Sequence, residues 1–110
     1  MKKYIIFVFI ASALLFSFKL YSLTFSVKTT KVSVTSTVTT LPTTALVGRN
    51  YISVQNISDT FVYVGAIDVS DTNGYVLLPY STWKRDYDHT VLVYGRVQGG
   101  TKTVIVEEGK

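Results

Sequence analysis

Beyond Phe25 the chain alternates apolar and polar side chains with a period of two, and nowhere with the 3.6-residue period of an amphipathic helix. A strand buries every second residue, so a chain with this pattern folds as packed sheets rather than as a helical bundle. Val32, Val34 and Val38 alternate with Ser33, Thr35, Thr37 and Thr39, which predicts a long first strand inside a Thr-, Ser- and Val-rich stretch. Pro42 interrupts pairing after it, because proline has no N–H to donate to a ladder. Tyr51 to Asn56 places Ile52 and Val54 on one face, and Phe61 to Val64 follows after Asn56-Ile57-Ser58-Asp59, predicting a paired hairpin. Asn73-Gly74 marks a tight turn before Tyr75 to Leu78, a strand that Pro79 closes. Val91, Val93, Gly95 and Val97 form another alternating run. Gly99-Gly100 then turns the chain into Thr101 to Glu107, with Val104 and Val106 inward, predicting a last hairpin. Six or seven strands give an all-β expectation: an antiparallel β-sandwich or small jelly roll over residues 26–110.

The 110 residues include no cysteine, which excludes a disulfide-stapled fold, thiolate metal sites and a cysteine nucleophile. The core has to rely on burial alone, which leaves so small a domain marginal and favours support from an assembly or an anchor. The formal charge of +4 overstates any basic character. Lys2, Lys3 and Lys19 flank an apolar N-terminus, and the remainder holds eight cations against seven acids, so a nucleic-acid footprint is not supported.

Tyr4 to Phe18 is apolar except for Ser12 and Ser17, and two lysines precede it. As a helix these fifteen residues would span about 22 Å, short of a hydrocarbon core of about 30 Å, and extension through Phe25 would suffice if Lys19 snorkels. A cleaved signal peptide is the competing reading. Ala11-Ser12-Ala13 fits the small-x-small rule, yet cutting there leaves Leu14 to Phe18 on the product; cuts after Ser17 or Ser22 place a leucine two residues before the site. The expectation is therefore an N-terminal hydrophobic helix over residues 1–25, retained as a membrane anchor in preference to a signal segment. The cations on its two flanks set no orientation, and the β-rich remainder is expected outside the cytoplasm.

Leu41-Pro42, Leu46, Arg49, the Ile52-to-Asn56 strand, Val62-Tyr63-Val64-Gly65, Val69, Asn73-Gly74, Leu78-Pro79, Val93-Tyr94-Gly95 and Val104-Ile105-Val106-Glu107 resemble a small β-sandwich domain of phage and prophage virion-associated proteins. The likeness covers roughly residues 38–108 and lies in spacing and turn positions. It implies a head-fibre-like or decoration-like structural or attachment role, and it brings no catalytic residues. The apolar N-terminus departs from ordinary soluble virion proteins and points to a membrane-containing virus or a cell surface.

Catalytic, cofactor and metal sites are not expected. His89 is the sole histidine, and Asp86 and Asp88 lie too close in sequence to orient it. Asp68, Asp71 and Asn73 lack the alternating acids and terminal glutamate of a calcium loop, and no glycine-rich phosphate loop occurs. Arg49 is expected to cap a turn or to pair with an acid such as Asp68, while Gly65, Gly95 and Gly100 are read as turns or bulges. Asn56-Ile57-Ser58 matches a glycosylation triplet, a match frequent by chance. Tyr75, Tyr80, Trp83 and Tyr87, beside Lys84 and Arg85, form the one cluster suited to a glycan or protein partner, with strand packing as the plainer reading. The functional expectation is a non-enzymatic, membrane-anchored structural protein of a virion or cell surface. It assembles with copies of itself or other coat proteins through the strand bearing Val32, Val34 and Val38, an edge without the usual blocking charges or proline. The alternative is a secreted or surface carbohydrate-binding or adhesion module that uses the aromatic patch.

Overall fold

The computed structural model describes residues 26–110, and all of their regular structure is β. The expected N-terminal helix and the choice between anchor and signal segment fall outside these residues. Eight strands follow in order: β1 (Val27–Val34), β2 (Thr39–Thr40), β3 (Tyr51–Asn56), β4 (Val62–Gly65), β5 (Tyr75–Leu77), β6 (Thr82–Arg85), β7 (Tyr94–Arg96) and β8 (Lys102–Gly109). They form two four-stranded sheets, β1-β8-β3-β6 and β2-β7-β4-β5, antiparallel throughout. The pairing is nested: β1 meets β8, β2 meets β7, β3 meets β6 and β4 meets β5. Each sheet turns one face to a shared apolar core. Val32, Val34, Ile52, Val54, Trp83, Val104 and Val106 enter it from the first sheet, and Val62, Val64 and Leu77 from the second, with Leu41, Val93 and Val97 beside β2 and β7.

The alternation of Ile52 with Val54 and of Val104 with Val106 places these residues inside as expected, but the connections run differently. β3 and β4 do not pair. Asn56 is fully buried, its Nδ2 donates to the carbonyls of Thr60, Leu77 and Leu78, and the chain crosses there from one sheet to the other. Its amide is therefore committed to the fold rather than free as a glycosylation acceptor. β7 and β8 likewise lie in different sheets. Gly100 does take a left-handed turn, φ +72°, but Val97 N–H donates to Thr35 O at 3.0 Å, and the turn carries the chain across instead of folding it back. A turn dipeptide reports that the chain reverses, not which sheet receives it.

The long first strand is in fact divided. β1 ends at Val34, Thr37 N–H donates to Thr35 Oγ1, and β2 resumes in the other sheet at Thr39. Side-chain hydroxyls that bond nearby backbone compete with the ladder, which stops the strand despite its β-branched residues. Val38 sits half-buried in this connection, whereas Val32 and Val34 point into the core. Gly95 is no turn either: it lies within β7 beneath Leu41, where a Cβ would meet Leu41 Cδ1 at 2.8 Å. Asn73-Gly74 closes a longer β4–β5 connection through its side chain. Asn73 Oδ1 accepts from Ser70 N–H, its Nδ2 donates to Asp68 O, and a Cβ on Gly74 would collide with Val69.

Candidate functional site

Two ends of the sandwich follow from the register. Val27 and Tyr51 both lie opposite Gly109, so the start of β1, the start of β3 and the end of β8 are level. The β2–β3, β4–β5 and β6–β7 connections share this end, while the β1–β2, β3–β4, β5–β6 and β7–β8 connections share the other.

At the first end a buried ion pair ties the loops together. Arg49 Nη1 donates to Glu108 Oε2 at 2.8 Å with both side chains essentially inaccessible. The same oxygen accepts Leu46 N–H. Arg49 Nε donates to Tyr87 O and Asp88 O, and Nη2 donates to Val91 O, so one guanidinium holds β8 and the β6–β7 loop from the β2–β3 loop. Its planar fork of donors suits this role better than an ammonium would. The partner is Glu108 rather than Asp68. Glu108 continues the inward parity of Val104 and Val106, the one sequence signal that marks it as buried.

The aromatic cluster lies at the seam between the edge strands β5 and β6. Trp83 is in the core, 6% exposed, and its ring meets Tyr75 at 6.4 Å and Tyr87 at 6.1 Å edge-on. Arg85 lies over Trp83 at 5.0 Å and against Tyr75 at 5.8 Å, so a cation and a half-exposed tyrosine close the open edge of the sandwich. A groove of about 180 Å³ adjoins it, lined by Gly65, Ala66, Trp83, Tyr87, Val91, Leu92 and Val93. Tyr80 is not part of this group; it stands on the β5–β6 loop at the other end, with φ +60°. The four predicted aromatics thus divide into a seam of three and one outlying ring.

On the outer side of the first sheet, Tyr51 donates to Glu107 Oε1 at 2.7 Å and Lys84 Nζ lies 4.5 Å from the Tyr51 ring centre. The bond to Glu107, with burial and the negative charge beside it, raises the Tyr51 pKa above the usual phenol range. His89 Nδ1 accepts Gly48 N–H, and Asp88 accepts both N–H and Oγ1–H of Thr90, bonds that lower its pKa. Both groups of the sole His–Asp neighbourhood thus serve loop geometry. Among the described residues no group of three or more His, Asp or Glu side chains is placed to hold a metal ion, and no helix is long and apolar enough to cross a membrane.

The remaining feature is β1, an edge strand among the described residues. Ser26 and Lys110 exchange both backbone bonds, at 3.0 and 2.9 Å, so alternate pairs down the ladder do the same and Val27, Thr29, Lys31 and Ser33 direct their N–H and C=O groups away from β8. Lys28 and Lys31 lie within this strand, both exposed, so the edge is not the uncharged one expected from the Val32-to-Thr39 alternation: the strand starts earlier and takes in two lysines. No family model, curated protein or solved structure matches the chain.

Proposed function

We propose that this chain is a structural protein of a virion or cell surface, without catalytic activity of its own. Residues 1–25 hold it at a membrane, and its β domain assembles with copies of itself or with other coat proteins. The observation that carries the reading is the β1 edge, whose four outward-facing residues offer backbone groups for strand addition. The nested order of eight strands in two antiparallel sheets supports a jelly-roll reading, an architecture that viral capsid and lectin domains share. That support is analogy of fold, as is the resemblance to virion-associated β domains.

Val34 is unsuitable for a test, because it is wholly buried and a charge there would unfold the core. Thr29 is exposed and gives no ladder bond to β8, so Thr29→Pro removes one outward N–H and leaves the sheet intact. The full chain in mild detergent is expected to sediment as an oligomer, and Thr29→Pro to shift it towards monomer with little change in melting. A wild-type monomer at high concentration, or unchanged assembly of the variant, would overturn the reading.

The alternative, a carbohydrate-binding or adhesion module, is favoured by one observation: Tyr75 keeps half its surface open beside Arg85 at the seam. Trp83 is enclosed, so a sugar would stack on Tyr75. Glycan-array binding abolished by Tyr75→Ala would support that reading, and no binding by the wild type would remove it.

A further inference from the structure

The end of the sandwich at which residue 26 enters also carries an unusual set of exposed aliphatic side chains. Val47 on the β2–β3 loop and Ile67 just past β4 are each 70% exposed, Val27 opens β1 with 64% exposed, and Val91 and Leu92 on the β6–β7 loop are close to half exposed. These positions belong to one surface. Lys110 Nζ donates to Val47 O, Gly48 N–H donates to His89, Arg49 holds Val91 O, and Ala66 shares a groove with Leu92. The buried Arg49–Glu108 pair therefore fixes apolar loop tips that gain nothing from the core.

The chain itself indicates what covers them. At most residues 19–25, and fewer where the membrane segment extends towards Phe25, separate the apolar run from Ser26, and seven residues reach at most about 25 Å when fully extended. If residues 4–18 lie in a bilayer, this end of the sandwich is held within one short tether of the lipid surface, and the opposite end points away. A tether of that length raises the local concentration of lipid at the loop tips, so even weak apolar insertion is sustained. The charges here are mixed, Lys28, Arg85 and Lys110 with Asp68 and Asp86, so attraction to an anionic surface is not the driving contribution. Phe61, Leu78 and Tyr80 are exposed at the far end as well, but no segment of the chain leads from them to a partner.

We infer that Val47, Ile67 and Leu92 rest in the interface of the bilayer that carries the N-terminal segment, so that the sandwich lies down on lipid by this end. The inference rests on the anchored reading above. The chain has no cysteine, so single cysteines can be introduced into the full-length protein and labelled with a polarity-sensitive fluorophore in phosphatidylcholine vesicles. V47C, I67C and L92C labels are expected to be quenched at least about twofold by shallow-brominated lipid. A Ser36→Cys label on the exposed β1–β2 connection at the far end should be unaffected, and a Leu15→Cys label should be quenched by deep-brominated lipid. Quenching at Leu15→Cys with none at the three loop positions would overturn the inference alone, leaving the sandwich clear of the surface on its tether. Absence of quenching at Leu15→Cys would overturn the anchor and the inference together.

Discussion

Replacing Glu108 by Gln keeps the volume of the side chain and removes its charge, leaving the Arg49 guanidinium enclosed without a counterion. Arg49 and Glu108 are 1% and 0% exposed, with 2.8 Å between Nη1 and Oε2, so solvent cannot take over the missing charge. Removing one member of such a pair costs about 3–5 kcal/mol. That is a large share of the roughly 5–15 kcal/mol that holds a domain of this kind folded. Arg49→Met should cost a comparable amount, because Glu108 keeps only Leu46 N–H and the carbonyls of Tyr87, Asp88 and Val91 lose their donors. The double variant Arg49→Met/Glu108→Gln has no stranded charge, so its loss should fall short of the sum of the singles by about 1–3 kcal/mol. Urea unfolding of the full chain in mild detergent provides the assay, and the fluorescence of Trp83, the sole and buried tryptophan, reports on it. A Glu108→Gln cost below about 1 kcal/mol, or singles that add to the double within about 0.5 kcal/mol, would refute the claim that the pair fastens these loops.

Asn56→Ala should destabilise the domain by about 1–3 kcal/mol, measured by urea unfolding, because three carbonyls at the far end lose a shared donor. Gly95→Ala should cost about 1–3 kcal/mol through collision with Leu41, and Leu41→Ala in the same chain should recover part of that loss, whereas additive costs would show that the two do not touch. Glu107→Gln should lower the Tyr51 pKa towards the ordinary phenol value in a tyrosinate absorbance titration. In the native protein the raised pKa means that the Tyr51 contribution to stability is complete below the unfolded-state pKa and fades as pH rises through the folded one.

Burial was legible wherever strands were long enough to show parity. Ile52, Val54, Val104 and Val106 fall inside because strand geometry sends alternate side chains to one face, and the same parity carried one step further reaches Glu108. Pairing was not legible, since local residues such as Asn56 or Gly99-Gly100 fix a change of direction while the sheet that receives the next strand is decided by distant contacts. The division of the first strand at Thr35 also escaped the pattern, because a threonine hydroxyl can stiffen a strand or bond its own backbone with the same residue. Among the aromatics, composition located the seam but not the separation of Tyr80, which depends on β5 and β6 running in opposite directions between the two ends.

The place of β8 has a consequence for biosynthesis. This strand lies between β1 and β3, so the first sheet lacks one of its two central members until residues 102–109 leave the ribosome. A nascent chain can close β4 on β5 early, yet β1 must wait until β8 has been made, and such distant pairing is slow to form. A product truncated before Lys102 would leave β1 unpaired and one side of β3 open, both competent to capture strands from other nascent chains. Synthesis of β8 thus sets when this domain becomes safe from aggregation, and a stop codon before Lys102 should be as damaging as a loss of core.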